Sequence, residues 1–212
     1  SLLDVLSGYE SPTSGMATLK GQEIGKYLLT ELSATRCFLH QQQQSQFNIP
    51  LWQLLQFYTR SIKLPTIIDT HLNITPLLSK SLSALSGGQQ QRFHIARNLC
   101  QIWPAIISGE GLLLLDEPIS QLDVKYQYAT MRLLKELNKL GNTIVMTSHD
   151  INISQQYAGY VGLLQKQALV FHGLANEVMT LANLGFIYDH EFTYMLRPDT
   201  TATGDKTHPE KY

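Results

Sequence analysis

With 212 residues, the chain is long enough to bury a sizeable apolar interior, either as one compact domain or as a core carrying one inserted subdomain. Lys plus Arg number 16 against 17 for Asp plus Glu, and a formal charge of −1 excludes a general attraction to nucleic acid or anionic lipid, leaving only local patches for such partners. Two well-separated cysteines, Cys37 and Cys100, no apolar run near the roughly 18 residues that span a bilayer, and no signal-peptide pattern point to buried thiols in a reducing, cytoplasmic setting.

Short apolar runs ending in polar or turn residues alternate with longer segments of helical period, the pattern of an α/β protein with a mainly parallel sheet covered by helices. Arg36 to Leu39 reads as the first strand and runs into His40-Gln41. Residues 42 to 84 are rich in Gln, Ser, Leu and Thr, with helical stretches near Leu51 to Thr59 and Ile74 to Leu82, and read as an inserted helical subdomain. Gln89 to Gln101 is the clearest helix: Gly87 and Gly88 open it, and Phe93, Ala96, Leu99 and Cys100 share one face. Leu112 to Leu115 is four consecutive leucines, as expected of a strand buried on both faces. Val124 to Leu140 repeats the helical period through Tyr128, Met131, Leu134 and Leu137, and Gly141 closes it. Thr143 to Thr147 and Val161 to Leu164 are the remaining strands. A turn at Gln165-Lys166-Gln167 followed by Ala168 to Phe171 suggests a hairpin, and residues 198 to 212 read as a loose tail. The expected divisions are therefore 1–41, 42–84, 85–197 and 198–212.

Chemistry concentrates at the ends of these elements. Leu85-Ser86-Gly87-Gly88-Gln89 places a hydroxyl and two glycines at the opening of a helix, where unpaired amides and the positive end of the dipole favour an anion; a plain helix cap is the alternative. The four leucines deliver Asp116 and Glu117 to the C-terminal edge of a buried strand, the edge at which open parallel sheets bind ligands. Asp116 suits Mg²⁺ and Glu117 suits a water nucleophile, although a solvated strand end fits the two acids taken alone. Asp123 is a candidate for ligand contact or for capping the next helix. Ser148-His149-Asp150 brings an imidazole to the same edge, able to hydrogen-bond a terminal phosphate. Gln41 offers a carbonyl oxygen to Mg²⁺ at the tip of the first strand, within a glutamine run that leaves its register open by one residue.

In this order, Gln41, Leu85 to Gln89, Leu112 to Glu117, Ser120 to Asp123 and His149 resemble the Q-loop, signature, Walker B, D-loop and switch histidine of ABC ATPases. The resemblance covers residues 1 to about 195 and implies a P-loop NTPase-like core. It further implies a head-to-tail homodimer that sandwiches two ATP molecules with Mg²⁺, docked on a membrane permease dimer at the cytoplasmic face of the inner membrane. Gln41 and Asp116 would serve the metal, and Gln41, Ser86, Gly87, Gly88, Gln89 and Asp123 the nucleotide. Glu117 would polarise water and His149 contact the γ-phosphate. Neither nucleic acid nor the transported molecule would touch the chain.

A phosphate loop of the form G-x-x-x-x-G-K-[ST] should precede these motifs, and the closest string, Gly21 to Tyr27, is one residue short and lacks the hydroxyl. Ser1-Leu2-Leu3 followed by Val5 to Gly8 looks instead like the helix directly behind such a loop, so the chain is expected to be N-terminally truncated and to bind ATP poorly by itself. The connection Gln101 to Gly111, the glutamine run and Leu133 to Asp150 are similar to the ATP-binding subunits of bacterial vitamin B12 importers. A groove near Phe47, Trp52 and Leu55 would then receive a permease helix, with ordinary core packing as the alternative. Iron-siderophore or haem import, and a non-catalytic interaction module, are the competing readings; a soluble ABC ATPase of DNA repair or translation would need a long coiled coil or paired cassettes.

Overall fold

The computed structural model describes residues 1–40, 48–59 and 64–193, and the chain divides into two units, Ser1–Asn152 and Ile153–Tyr212. The first unit opens with α1 (Leu2–Ser7), a two-stranded antiparallel ribbon of β1 (Thr18–Leu19) and β2 (Gln22–Glu23), and α2 (Leu29–Thr35). Gly21 to Tyr27, the near-match to a phosphate loop, contains β2 and a 3-10 turn at Ile24–Lys26, and the Tyr27 hydroxyl donates to the Leu19 carbonyl at 2.7 Å. This stretch is a tight structural turn.

Three parallel strands form the centre of the first unit: β3 (Arg36–Leu39), β4 (Leu112–Leu115) and β5 (Thr143–Met146), in the order β3-β4-β5. β4 lies in the middle, hydrogen-bonded on both sides and covered on both faces, which is why it is a run of leucines; Leu113, Leu114 and Leu115 are fully buried. Leu39, Leu115 and Met146 sit in register, so all three strands end at one level and deliver the residues that follow them to a common edge.

Between β3 and β4 lie α3 (Leu51–Gln56), α4 (Thr66–Leu72), α5 (Gly87–Gln101) and α6 (Trp103–Ile107). The helix expected over Ile74 to Leu82 is not there. Asn73 takes a left-handed conformation (φ 50°) that ends α4, and the segment continues as two 3-10 turns at Thr75–Leu77 and Leu82–Ala84. Asp69 fixes the break, because its carboxylate accepts from the Ile74 and Thr75 amides at 2.8 Å each and from the Thr75 hydroxyl at 2.6 Å. The apolar period that suggested a helix is spent on packing instead, with Ile74, Leu77 and Leu82 buried.

α5 begins at Gly87, two residues earlier than expected, and from Gln91 to Cys100 every residue except Arg97 is buried. It therefore buries more than the single face that its period suggested. Arg92 ties it to α4 by donating to the Leu72 carbonyl at 2.6 Å, and separately stacks 3.8 Å over the ring of Tyr126. After β4, α7 (Val124–Lys139) packs Met131, Leu133, Leu134 and Leu137 inward and leads to Asn142. Asn142 is buried and fully engaged: it accepts from the Gly111 amide at 2.8 Å and donates to the Ile106 and Leu137 carbonyls at 2.9 and 2.8 Å. This one side chain satisfies groups from α6, α7 and the approach to β4.

α8 (Ile151–Tyr157) leads into the second unit, in which β6 (Tyr160–Gln165) and β7 (Ala168–Leu174) form an antiparallel hairpin followed by α9 (Ala175–Val178) and α10 (Leu181–Tyr188). Its two-residue turn, Lys166-Gln167, has φ of 49° and 66°, the doubly positive conformation that matches strand twist. The hairpin runs three residues beyond the expected Phe171 and carries a register shift between Leu163 and Leu164. The expected tail, residues 198–212, lies outside the described residues.

Candidate functional site

The common edge of the three strands gathers the acids and the imidazole. Asp116 follows β4 directly, and its amide donates to the Leu39 carbonyl of β3 at 2.9 Å, so its backbone is still held in the sheet. Thr147, the residue after β5, likewise donates its amide to the Leu115 carbonyl at 3.0 Å. The Thr147 hydroxyl then donates to Asp116 Oδ1 at 2.6 Å and accepts from the Glu117 amide at 2.9 Å. Glu117 leaves the strand direction in a left-handed conformation (φ 46°), rare for a non-glycine residue, and its carboxylate Oε1 meets His149 Nε2 at 2.5 Å. The Glu117 side chain is 16% exposed and that of His149 83%, so the acid is lodged and the imidazole faces solvent. Glu117, Ile119, Ser120, Ser148, His149 and Asp150 line a concavity of about 320 Å³.

A second cluster stands at the front of α5. Ser86 caps the helix, its hydroxyl accepting from the Gln89 amide at 3.4 Å while Gln89 Oε1 accepts from the Ser86 amide at 3.2 Å. Ser86 and Gly87 are exposed at the positive end of a 15-residue helix. The loop after Glu117 is strapped to that helix: Gln91 Nε2 donates to the Pro118 carbonyl at 3.0 Å, and a Cβ on Gly88 would come within 3.0 Å of the Gln121 carbonyl. Gly88 is thus required for the close approach of loop and helix. Asp123, exposed, caps α7 by accepting from the Tyr126 amide at 3.1 Å.

Of the residues singled out in the sequence, Asp116, Glu117 and His149 come together at the strand edge, Ser86, Gly87, Gly88 and Gln89 form the second cluster, and Asp123 serves as a cap. Gln41 and Phe47 lie outside the described residues. Leu55 is buried and Trp52 is 40% exposed, so the pair is divided between packing and surface. The sequence marks Thr147 only as the end of a strand. Its signal was a hydroxyl two residues before His149, but its meaning depends on the pairing of β4 with β5. Gln91 was hidden in the glutamine run Gln89 to Gln91.

The donor set is oxygen-based, which suits a hard cation. Among the described residues no three His, Cys, Asp or Glu side chains converge as a metal cage, and Mg²⁺ needs none, since it keeps most of its waters and takes one or two carboxylates plus phosphate oxygens. Cys37 and Cys100 are packing residues, because burial pushes each thiol up to about 12 and keeps it protonated at neutral pH. Among the described residues no helix is long and apolar enough to cross a membrane.

Residues 1–120 match the family model for the ABC transporter. The chain is 32% identical over 203 residues to the hemin import ATP-binding protein HmuV of Rhodopseudomonas palustris (strain HaA2), covering 92% of this chain and 78% of that protein. It is 35% identical over 199 residues to the vitamin B12 import ATP-binding protein BtuD of Yersinia pseudotuberculosis, covering 91% and 78%. Among solved structures it superposes on cbiO1 of Clostridium perfringens, part of the ABC transporter complex cbiONQ, with a TM-score of 0.64 at 27% identity, covering 86% of this chain and 75% of that one. It shares the fold of a dimeric ATP-binding cassette bound to ADP and Pi, with a TM-score of 0.66 at 23% identity, covering 82% and 79%.

Proposed function

This chain belongs to the ABC transporter family and is an ATP-binding subunit of an importer, and on that premise we propose that it hydrolyses ATP to energise uptake of vitamin B12 through a membrane permease. The observation that carries the reading is the convergence of Asp116, Glu117 and His149 at the C-terminal edge of the parallel sheet, with Glu117 and His149 in direct contact.

In this reading the work is divided among the residues. Asp116 would hold Mg²⁺, with Gln41 supplying a further oxygen, and the bound ion would supply charge neutralisation at the phosphates. Glu117 orients a water toward the γ-phosphorus and accepts its proton as the bond to the leaving ADP oxygen breaks, giving ADP and phosphate. His149 donates to a γ-phosphate oxygen, for which its exposed position on the rim leaves room. Ser86, Gly87, Gly88 and Gln89 present amides and a hydroxyl to the phosphates of ATP bound on a second copy, and Asp123 reaches across the same homodimer boundary. The segment 42–84, whose described residues include α3 and α4, is the part that meets the permease. The protein sits on the cytoplasmic face of the membrane, with no nucleic-acid partner and no contact with the cargo.

Replacing Glu117 by Gln removes the proton acceptor and keeps the shape. The full-length Glu117→Gln protein is expected to bind ATP and accumulate as an ATP-loaded dimer on size exclusion, with turnover lowered at least about a hundredfold. Unchanged turnover would take Glu117 out of this role. Haem is the second cargo supported by a relative, through the likeness to the hemin import subunit.

A further inference from the structure

We propose that Thr147 is a positioning residue for ATP hydrolysis: its hydroxyl sets Asp116 and Glu117 at a fixed angle to one another. This rests on the ATPase reading above and assigns a task to a residue that reading leaves unused. Thr147 stands one position beyond β5, with its amide still bonded to the Leu115 carbonyl at 3.0 Å, so its Cα is held in sheet register beside the tip of β4. From that fixed point its hydroxyl makes both contacts already described, donating to Asp116 Oδ1 at 2.6 Å and accepting from the Glu117 amide at 2.9 Å.

A hydroxyl has one proton and two lone pairs, so the two bonds fix each other's direction. The proton is committed to the carboxylate, and a lone pair is therefore turned toward the amide. Asp116 keeps Oδ2 free of this bond for a cation. The Glu117 amide, at the point where the chain leaves the strand, finds its acceptor in the same oxygen. The loop after β5 thus grips Glu117 twice: Thr147 holds its backbone and His149 its carboxylate. Two adjacent acids with separate tasks are kept in separate directions by a side chain from the neighbouring strand.

Valine has the shape of threonine and neither bond; serine retains both. In the full-length protein with its membrane partner, Thr147→Val is expected to lower kcat for ATP hydrolysis by about ten- to a hundredfold, as loss of orientation at a reacting centre does. KM for ATP and the melting temperature should stay at wild-type values, and Thr147→Ser should recover most of kcat. Wild-type kcat in the valine variant overturns the proposal, as does a serine variant no better than valine, or a loss confined to KM. If valine disturbs folding, Thr147→Ala must show the same fall in kcat, and full activity there is equally fatal. Glu117→Gln run in parallel separates the two levels. An active glutamine variant overturns the ATPase reading itself, whereas an inactive glutamine variant beside a fully active valine variant removes only Thr147.

Discussion

Glu117 occupies a conformation in which an L-residue's Cβ crowds its own backbone (φ 46°), and it does so where a carboxylate has to leave the sheet and face a concavity. Glycine adopts that conformation without the crowding. Glu117→Gly is therefore expected to leave the protein about 0.5–1 kcal/mol more stable by thermal melting while abolishing turnover. A melting point several degrees below wild type would show that the side-chain contacts of Glu117 outweigh its backbone strain. At this scale the sequence was informative wherever consecutive residues carry the chemistry. Four leucines ending in two acids already place Asp116 and Glu117 at a strand tip, and Ser148-His149-Asp150 does the same for the imidazole. Thr147 could not be read in that way, because what makes its hydroxyl matter is a neighbour 31 residues away along the chain.

Among the elements, α5 carries the most. Its first turn carries the exposed Ser86-Gly87 front proposed to meet phosphate, its residues from Gln91 to Cys100 are buried except Arg97, and Gln91 and Arg92 fasten it to the loop after β4 and to α4. Within it, His94 is buried with neither ring nitrogen hydrogen-bonded. Burial, helped by the nearby Arg97 charge, pushes its pKa down to about 4 from an ordinary 6.5. The unfolded chain then binds a proton that the folded chain refuses, so stability should be level above pH 6.5, fall as the pH drops toward 4, and level again below. Urea unfolding at pH 7 and pH 5 should differ by about 1–2 kcal/mol, and His94→Leu should remove most of that difference; an equal difference in both proteins would assign it elsewhere. Asp69 does not confuse the test. Burial works against its carboxylate, but the hydrogen bonds from Thr75 and Ile74 outweigh it and hold it below 3.8, so its stabilisation is complete above that pH and is lost only as the pH falls through its lower folded value. The burial of His94 was invisible in the sequence, since the helical period marked one apolar face and α5 buries polar residues beyond it. The missing helix over 74–82 failed for a related reason: period shows which residues are buried, and Asp69 and Asn73 decide whether the backbone between them is helical.

For the whole molecule, the parallel sheet was legible because β4 needs both neighbours to bury its leucines, and the hairpin because a short polar turn separates two apolar runs, although the turn expected over Gln165 to Gln167 is the two residues Lys166-Gln167, since Gln165 still pairs with Ala168. The cargo is a different kind of question. Under the proposed function the chain drives transport without touching the cargo, so information about cargo reaches it only through the permease it fits. Identities of 32% to a hemin subunit and 35% to a vitamin B12 subunit do not separate the two. Fit to a permease can be measured directly. A bacterial strain lacking its vitamin B12 ATP-binding subunit is expected to regain B12 uptake when it expresses the full-length protein, and not when it expresses Glu117→Gln. A strain lacking its hemin subunit should stay deficient. If haem uptake returns and B12 uptake does not, the chain is matched to a haem permease; the roles proposed for Asp116, Glu117 and His149 would stand unchanged, because they concern ATP whichever molecule crosses the membrane.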